Sequence, residues 1–595
     1  MARNDDGQQA ALGHWVRALH CRKDLEASGH RTLLSAIMDV AKTRGDRAAL
    51  IDEEQEITYG QLVRRAHFFV RWGLERGLPP GSTVCLLMPN GVDYLPIWLG
   101  LGQIGCSVAL INTNLVDRAL AHCITAAESA TVIVAGTLAT RMTDAVKHLT
   151  EPPAIWVHGD GRPDLRHIDI AGRDDTSPFE IPEARLPERR DRALLLFTSG
   201  TTGLPKAANV THARVLEWSY WFAGMMGAQP DDRLYDCLPL YHSVGGIVAI
   251  GSMLVKGGSV VIRPRFSASR FWDDVIDTGC TIFQYIGELC RYLTQSPPHP
   301  RETTHRLRLA CGNGLQAQVW DRFRTRFAVP RILEFYAATE GNVSLYNCEE
   351  VKGSIGRIPG FLRHSFPVGL VRVDPETGEP QRDSEGLCLR CEVDESGEAI
   401  GKLLSDGAAI ARNFDGYTDP VASERKVLRD VFKRGDRWFR TGDLMRRDEA
   451  GFFYFVDRLG DTFRRKGENV STTEVAGLIA AFPGVTDAVV FGVAIPGQEG
   501  CAGMAAIAAE PGFDLCALRR YLREQLPVYA APLFIRLCDN LDRTGTFKLI
   551  KGTLSHMDLV DFPKNSVWFD DPRCASFVKF DEGVLEALSA GEIRV

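Results

Sequence analysis

A loop of small residues followed by a lysine lies within LLLFTSGTTGLPKAA, residues 194–208. Small residues let backbone N–H groups approach an anion closely, and Lys206 adds a positive charge, so the loop suits a polyphosphate. It is not a Walker loop, because Pro205 stands where the second glycine of that motif belongs. A Ser/Thr-rich surface loop is the alternative, but it does not account for a lysine behind a Gly-Leu-Pro turn. The predicted phosphate-binding residues are Thr198, Ser199, Gly200, Thr201, Thr202, Gly203 and Lys206.

A second glycine-rich segment imitates a dinucleotide-binding fingerprint. Gly312, Gly314 and Ala317 give the spacing GxGxxA between a predicted strand and a predicted helix, and Glu334 lies twenty residues beyond Gly314. That acid stands at the spacing of a ribose ligand. The pattern is weak on its own, and Glu334 precedes another small-residue cluster, EFYAATEGN, rather than ending a simple βαβ unit. We therefore predict only a glycine-rich backbone beside a nucleotide, formed by Gly312, Asn313 and Gly314.

Two further acids have the chemistry that a nucleotide site needs. In EFYAATEGN, Thr339 offers a hydroxyl and Glu340 a carboxylate beside Gly341. A hard divalent cation that bridges phosphates prefers such oxygens. Asp443, in RTGDL, lies in a predicted tight turn and suits two ribose hydroxyls. Each residue alone is more often a cap or turn residue, but their presence together with the 198–206 loop favours a nucleotide site.

Composition limits the classes of protein to which the chain can belong. The 595 residues are 45% hydrophobic and 24% charged, which is typical of a folded globular chain and excludes bulk disorder or a coiled coil. The 69 Lys and Arg against 76 Asp and Glu leave a net charge of −7, so no basic surface indicates nucleic-acid binding. The fifteen cysteines are scattered and do not predict a disulfide framework.

The elements that must position these residues alternate between helix and strand from Thr32 to about Arg357, which predicts βαβ units and mostly parallel sheets. A polar stretch at 162–192 divides this region into two subdomains. Short spacing and Gly-rich turns predict a β-rich subdomain over 368–455, and the pattern changes again after Asp457. The predicted fold class is α/β: a large N-terminal region of two α/β subdomains plus a small β-rich subdomain, followed by a small mobile α+β C-terminal domain.

The longest uncharged run, from Tyr94 to Asn114, has the length of a membrane span. Gly100, Gly102 and Gly105 interrupt it and its second part is β-branched, so we predict a buried helix followed by a buried strand. The first residues, MARNDDGQQA, lack the apolar stretch of a secretory signal. We expect an intracellular protein that is soluble or peripherally attached to a membrane.

Taken in order along the chain, these segments resemble the adenylate-forming superfamily of acyl-CoA synthetases, luciferases and peptide-synthetase adenylation domains. The resemblance covers roughly residues 30–560. It rests on TYG, TSGTTGLPK, YHS (241–243), GNG, YAATEG, TGD, DRLGDTFRRKGENVSTTEV and TGTFK. EFYAATEGN, FQYIGEL, KGENVSTTEV and TGTFK resemble more narrowly the fatty-acid-transport-protein branch, the very-long-chain acyl-CoA synthetases.

The resemblance implies a nucleotide site built from the matching residues. The loop 198–206 would hold the β- and γ-phosphates of ATP, and Thr339 would contact its α-phosphate. Tyr336 would stack on adenine, and Asp443 would hold the ribose hydroxyls. Mg²⁺ would bind Glu340 and Thr201. The implied ATP-binding residues beyond the loop are Gly312, Asn313, Gly314, Tyr336, Ala337, Thr339, Asp443 and Arg458.

The resemblance also implies catalytic residues and a moving domain. His242 would lie near the substrate carboxylate, and Lys548 of TGTFK matches the catalytic lysine of the small domain; the implied catalytic set is Lys548, Thr339, Glu340 and His242. In the family the small domain rotates about a hinge between the two steps, and the pantetheine arm of CoA runs past a glycine. The matching residues here are Gly460, Asp461 and Gly467. The implied limits are 1–457 for the N-terminal adenylation domain, 458–461 for the hinge and 462–595 for the C-terminal domain.

The implied function is an ATP-dependent, AMP-forming ligase that joins a long-chain or very-long-chain fatty acid to CoA. Mg²⁺ would be its cofactor, ATP and CoA its co-substrates, and AMP and pyrophosphate its by-products. A cytoplasmic location fits, with peripheral attachment to the inner face of a membrane left open. Three alternatives also stay open: a fatty acyl-AMP ligase that loads a carrier protein, a CoA ligase for a sterol or bile acid, and a membrane-associated fatty-acid uptake protein.

Overall fold

The computed structural model describes residues 2–175, 177, 180–198, 204–374, 377–404, 412–466, 468–495, 501–541, 543, 562, 566–590 and 592–593. These residues belong to two compact units. The first unit comprises Met1–Gly314, Phe323–Val351 and Lys402–Leu428, and the second unit comprises Leu315–Arg322, Lys352–Gly401 and Arg429–Val595. The domain limits that the sequence implies around a hinge at 458–461 stay a prediction.

Several of the described α-helices begin at a polar side-chain cap. At the start of α3, for example, the Thr58 side chain accepts from the N–H of Gln61 while the Gln61 side chain accepts from that of Thr58. Within the described ranges the α-helices are α1 Ala2–Ser28, α2 Leu33–Arg44, α3 Tyr59–Glu75, α4 Tyr94–Gln103, α5 Asp117–Ala126, α6 Ala139–Val146, α7 His212–Met226, α8 Ile250–Leu254, α9 Phe271–Asp277, α10 Gly287–Gln295, α11 Ala317–Phe327, α12 Pro420–Glu424, α13 Thr472–Ala481, α14 Leu515–Gln525 and α15 Glu582–Ser589.

The first unit contains two large, mostly parallel sheets, as the alternation of helix and strand predicts. Their strands in chain order are β1 Ala48–Ile51, β2 Glu56–Thr58, β3 Thr83–Leu87, β4 Ser107–Leu110, β5 Thr131–Ala135, β6 Ala154–His158, β7 Arg166–His167, β8 Arg192–Thr198, β9 Lys206–Thr211, β10 Arg233–Asp236, β11 Ser259–Ile262, β12 Ile282–Ile286, β13 Leu309–Asn313, β14 Ile332–Ala337 and β15 Ser344–Asn347.

One sheet of the first unit has seven strands in the order β7-β6-β5-β3-β4-β8-β9, and only its last pair is antiparallel. The other has eight strands in the order β15-β14-β13-β12-β10-β11-β1-β2, with antiparallel pairs at its two edges. In such sheets ligands bind beyond the carboxyl ends of the parallel strands. The segments that follow β13 and β14 therefore lie where such a sheet would bind a ligand.

The predicted β-rich part and the predicted α+β part follow the two large sheets along the chain. The first is a sheet with the order β16-β17-β19-β18, to which β20 is added beside β19; the second is a five-stranded sheet in the order β23-β24-β25-β26-β27, and β21 pairs with β22. Their strands are β16 Val368–Val371, β17 Gly397–Lys402, β18 Val427–Arg429, β19 Arg437–Arg447, β20 Phe453–Arg458, β21 Phe463–Arg465, β22 Glu468–Val470, β23 Val485–Ala494, β24 Cys501–Ala509, β25 Phe534–Cys538, β26 Val567–Asp571 and β27 Ser576–Lys579. The predicted fold class is confirmed.

The long uncharged run forms a helix and a strand, as predicted. Residues 94–102 of α4 are all buried, and so is every residue of β4. Gly100 lets α4 cross α3 closely, because a Cβ at this position would lie 2.2 Å from the carbonyl oxygen of Ala66. Over the described residues, no helix combines the length and the apolar character that crossing a bilayer requires.

We predict that Gly100→Ala destabilises the first unit, because the added methyl forces α3 and α4 apart. Overpacking of this kind costs about 1–3 kcal/mol. Gly102→Ala in the same helix is the matched control: its Cβ would meet only the Cε1 atom of His212, at 3.4 Å, and should leave stability unchanged or raise it. The midpoint of urea unfolding, followed by tryptophan fluorescence, is measured for both variants. Equal midpoints would contradict the close packing of α4 on α3 at Gly100.

Candidate functional site

The predicted phosphate loop joins two adjacent strands of the seven-stranded sheet. Thr198 ends β8, Lys206 begins β9, and these two residues are direct partners in the antiparallel pair. The strand before the loop is buried from Ala193 to Phe197, which fixes where the loop starts. Ser199, Gly200, Thr201, Thr202 and Gly203 lie outside the described residues, as do Gly467 and Lys548.

The glycine-rich segment ends β13 and carries a packing role of its own. A Cβ on Gly312 would lie 2.2 Å from the carbonyl oxygen of Tyr285 on the neighbouring strand β12, so this strand pair requires glycine there. Gly314 has φ +80°, a conformation that favours glycine. Glu334, the acid at the ribose spacing, is buried and accepts a hydrogen bond from the Tyr285 hydroxyl at 2.5 Å. The dinucleotide-like spacing therefore reflects packing between strands.

The segment with Thr339 and Glu340 forms an irregular turn directly after β14. Tyr336 and Ala337 are the last two residues of that strand and pair with β15. The Gly341 N–H donates to the carbonyl of Ala338 at 3.2 Å, which closes the turn. The predicted adenine, α-phosphate and metal residues therefore lie consecutively at the carboxyl end of a parallel strand, where such sheets bind ligands.

The YHS motif reaches the same turn. The Ser243 hydroxyl lies 3.1 Å from the Thr339 hydroxyl, and either oxygen can donate. His242 precedes Ser243, and its ring centre lies 4.7 Å from that of Tyr241. A π-helical segment, Val244–Ala249, follows, and such segments occur frequently at functional sites. The structure therefore brings the predicted carboxylate-binding motif to the predicted α-phosphate residue.

The side chain of Arg214 holds the turn that contains Thr339 and Glu340, a role that the sequence analysis does not predict. Arg214 is the third residue of α7, and only 1% of its surface is exposed. Its Nη1 donates to the carbonyls of Thr339, at 3.1 Å, and of Gly341, at 3.3 Å. Its Nη2 donates to the carbonyl of Asn413, and its Nε lies 3.4 Å from Oδ2 of Asp415. One side chain thus joins the turn to a distant segment of the chain.

Tyr417 lies two residues beyond Asp415 and contacts both the phosphate loop and the turn with Glu340. Its hydroxyl donates to Oε1 of Glu340 at 2.7 Å, and the Lys206 ammonium lies 5.9 Å from its ring centre. Its hydroxyl also interacts with the Thr198 side chain. Residues from two separate predicted motifs, the phosphate loop and EFYAATEGN, therefore meet at one aromatic side chain. Sequence spacing carried no signal for Tyr417, because its role depends on pairing between remote segments.

The electrostatics follow from burial of opposite charges. Burial lowers the pKa of Arg214, while Asp415 and Glu340 oppose that shift. Burial raises the pKa of Asp415, while Arg214 opposes it. Burial, and then the Glu340 carboxylate, raise the pKa of the Tyr417 phenol well above its ordinary value, so the hydroxyl keeps its proton and donates. A guanidinium this deeply buried remains tolerable only while these partners are in place.

The donor set fits a magnesium ion that is held mainly by substrate. Tyr417 occupies one Glu340 oxygen, and no residue of the described chain hydrogen-bonds to the second oxygen, Oε2. The described residues contain no group of three His, Cys, Asp or Glu side chains that could hold a metal by themselves. Mg²⁺ commonly uses one or two carboxylates together with phosphate oxygens and waters. Glu340 supplies such a carboxylate.

The predicted ribose residues lie side by side in the second unit. Asp443 on β19 and Arg458 on β20 are direct partners in the antiparallel pair, with 3.8 Å between Arg458 Nε and Asp443 Oδ1. Thr441, Gly442 and Asp443 lie within strand β19, so the predicted tight turn at Asp443 is wrong; Gly442 has φ +78° inside the strand, and the Asp443 N–H donates to the Thr441 hydroxyl at 3.0 Å. The implied hinge follows β20 as a turn, in which Gly460 has φ +91° and the Asp461 N–H donates to the Arg458 carbonyl.

Comparison with known families agrees with this geometry. The profile of the AMP-binding enzyme family matches residues 38–412, and that of the AMP-binding enzyme C-terminal domain matches residues 474–548. The chain belongs to the AMP-binding enzyme family. This AMP-binding enzyme is 39% identical to mouse long-chain fatty acid transport protein 1 over 586 residues, which cover 96% of this chain and 90% of that protein.

A human relative and a solved structure extend the comparison. The AMP-binding enzyme is 40% identical to human long-chain fatty acid transport protein 1 over 577 residues, 95% of this chain and 88% of that one. The crystal structure of the anthranilate CoA ligase AuaEII in complex with anthranoyl-AMP matches with a TM-score of 0.75 at 20% identity, covering 88% of this chain and 96% of that one. The resemblance to the adenylate-forming superfamily and its fatty-acid-transport-protein branch is confirmed.

We predict that Arg214→Met destabilises this AMP-binding enzyme by about 3–5 kcal/mol, because it leaves the Asp415 carboxylate buried without its counter-ion. Adding Asp415→Asn should recover part of the loss. Arg47→Met, at an exposed ion pair with Asp231, is the matched control and should cost less than about 1 kcal/mol. Urea denaturation measures all four proteins, and equal losses for the buried and exposed pairs would contradict the anchoring role.

Proposed function

We propose that this AMP-binding enzyme is a long-chain or very-long-chain fatty acid:CoA ligase. It activates the acid with ATP to an acyl-adenylate, releases pyrophosphate, and transfers the acyl group to CoA with release of AMP. The observation that carries the proposal is the meeting of Thr198, Lys206 and Glu340 around one side chain, Tyr417. The names of the long-chain fatty acid transport proteins, which align along nearly the whole chain, support the choice of substrate.

The chemistry explains why these residue types are needed. A carboxylate is a poor electrophile because its charge repels nucleophiles and its leaving group would be oxide. Joining it to AMP creates a mixed anhydride with a good leaving group. The transition state gathers negative charge on the oxygens around the α-phosphorus, and preorganised donors stabilise it. Thr339 and Lys548 are the proposed donors, and Lys206 compensates the charge of the outer phosphates.

Magnesium would neutralise charge on the phosphate oxygens when it is bound with ATP. Within the chain, Glu340 and Thr201 are the proposed ligands. The Tyr417 hydroxyl orients the Glu340 carboxylate, and Ser243 orients the Thr339 hydroxyl. In the second unit, Asp443 is the proposed acceptor for the ribose hydroxyls, with Arg458 beside it. Tyr336, Ala337 and the backbone of residues 312–314 are proposed to surround the adenine.

The second step requires that the thiol of CoA reach the adenylate after Lys548 has left. We propose that residues 462–595 rotate about Gly460 and Asp461 between the two steps and bring Gly467 to the pantetheine arm. The acyl chain is proposed to enter beside His242 and the π-helical segment Val244–Ala249. Peripheral attachment at the inner face of a membrane, with the bulk of the protein in the cytoplasm, belongs to the same proposal.

A substrate panel with the purified protein tests the function. Fatty acids of increasing chain length, a bile acid and a sterol acid are incubated with ATP, Mg²⁺ and CoA, and both pyrophosphate release and thioester formation are measured. The proposal expects both products with long-chain fatty acids. Pyrophosphate without thioester would favour a ligase that loads a carrier protein, a preference for the polycyclic acids would favour the sterol alternative, and neither product would favour an uptake protein.

We predict that Lys548→Ala separates the two half-reactions. Loss of a charge-assisted contact that forms in the transition state should slow acyl-adenylate formation by about 10²–10³-fold. Thioester formation from supplied acyl-adenylate should stay near the wild-type rate, because the lysine is absent from that step. Lys579→Ala, at an exposed lysine of the second unit, is the control and should change neither rate. Equal losses in both half-reactions would contradict the domain rotation, and no loss would contradict a catalytic lysine.

A further inference from the structure

The segment that carries Tyr417 is fixed to strand β9 by its backbone. Ala208 and Tyr417 form an isolated antiparallel bridge, the Thr418 N–H donates to the Ala207 carbonyl at 3.0 Å, and the Asn209 N–H donates to the Gly416 carbonyl at 3.0 Å. Since β9 begins at Lys206, these bonds hold the aromatic ring at a set distance from the base of the phosphate loop.

The same segment is also fixed to the turn that holds Glu340. Arg214 donates to carbonyls on both sides, to Thr339 and Gly341 in the turn and to Asn413 in the segment, and pairs with Asp415. The separation between Tyr417 and Glu340 is therefore set by backbone anchors at both ends. The hydrogen bond between the two side chains is therefore preorganised by the backbone.

The packing around the Tyr417 ring leaves the ring little freedom to move. Tyr417 is 6% exposed and packs with Ala208 and Ala422, with the Phe414 ring centre 5.9 Å away. Its N–H donates to the Ser423 hydroxyl at 2.8 Å. Of the two carboxylate oxygens of Glu340, the Tyr417 hydroxyl bonds to Oε1, and within the described part of the chain no residue hydrogen-bonds to Oε2.

We propose that Tyr417 is a positioning residue for MgATP: its hydroxyl holds the Glu340 carboxylate in one orientation and presents Oε2 to the metal. This inference rests on the proposed function, because it takes Glu340 as the metal ligand. Partners that orient a metal ligand in this way commonly change metal affinity or activity by about 10–100-fold when they are removed. No residue of the predicted site had this role.

Isothermal titration of ATP, with Mg²⁺ and then with chelator, tests the proposal on the full-length protein. The measured quantity is the magnesium gain, defined as the ratio of the Kd without Mg²⁺ to the Kd with it. Tyr417→Phe, which removes only the hydroxyl, should lower this gain about tenfold and leave the affinity for metal-free ATP within about twofold. Tyr235→Phe, which removes a buried hydroxyl 3.3 Å from Asp274 in the same unit, is the matched control and should leave the gain unchanged.

A double-mutant cycle separates positioning from a general structural role. In a Glu340→Ala background the magnesium gain should already be small, and adding Tyr417→Phe should change it by less than about twofold. An unchanged gain in Tyr417→Phe, or an equal further loss in the Glu340→Ala background, would overturn the proposal. If Tyr417→Phe does not fold, Ser423→Ala, which removes the acceptor of the Tyr417 N–H and keeps the ring, should still lower the gain, and no change would overturn it.

The outcomes also separate this inference from the proposed function. Wild-type protein that forms thioester but whose magnesium gain is insensitive to Tyr417→Phe contradicts the inference alone. Wild-type protein that shows the expected gain and the expected cycle, yet forms neither pyrophosphate nor thioester, contradicts the function and leaves the positioning role intact. A wild-type magnesium gain of one would overturn the inference together with the metal role of Glu340.

Discussion

The buried guanidinium of Arg214 is the constraint on which the site depends. It joins α7 to the Thr339–Gly341 turn and to the segment at Asn413, across 125 and 199 residues of sequence. A charge with 1% exposure is costly unless a counter-ion is near and hydrogen bonds replace water, which here come from Nη1 and Nη2. The start of α7, the Thr339–Gly341 turn and the segment at Asn413 therefore depend on one another, because the buried guanidinium is stable only when all three surround it.

This constraint explains how an irregular turn can serve as a site. Helices and strands fix their own backbone, but a turn after β14 has few hydrogen bonds to hold it. The guanidinium supplies them, because its planar fork of donors binds several carbonyls in a fixed geometry. The parallel sheet provides the location, since β13 and β14 end at the same edge. Rigid anchoring of this kind suits electrostatic stabilisation, which needs donors that do not reorganise during the reaction.

The sequence predicts those helices and strands that are determined by residues close together in the chain. The interruption of an apolar run by Gly100 and the β-branched residues after it indicated a helix and then a strand, and α4 and β4 confirm both. Short-range periodicity and turn chemistry determine such elements, so a single sequence contains enough to recognise them.

The residues that unite the site could not be predicted in this way. Arg214 lies near the start of α7, a mostly buried helix, and its charge alone does not indicate which carboxylate it will pair with. Tyr417 has no local pattern, because its role depends on a bridge to Ala208 in a strand two hundred residues earlier. Glu334 shows the opposite case, because its spacing alone suggests a ribose ligand. In the structure Tyr285 packs against Gly312 and its hydroxyl donates to the Glu334 carboxylate.

The proposed site requires that the turn anchored by Arg214 bind the metal of a nucleoside triphosphate. The most direct measurement is anomalous diffraction from crystals grown with ATP and Mn²⁺, which replaces Mg²⁺ and can be located by its own signal. The structure predicts an anomalous peak within bonding distance of Oε2 of Glu340, with the Tyr417 hydroxyl still on Oε1. A peak on the phosphates that is not coordinated by Glu340, or a carboxylate turned so that the metal takes Oε1 from Tyr417, would contradict the account.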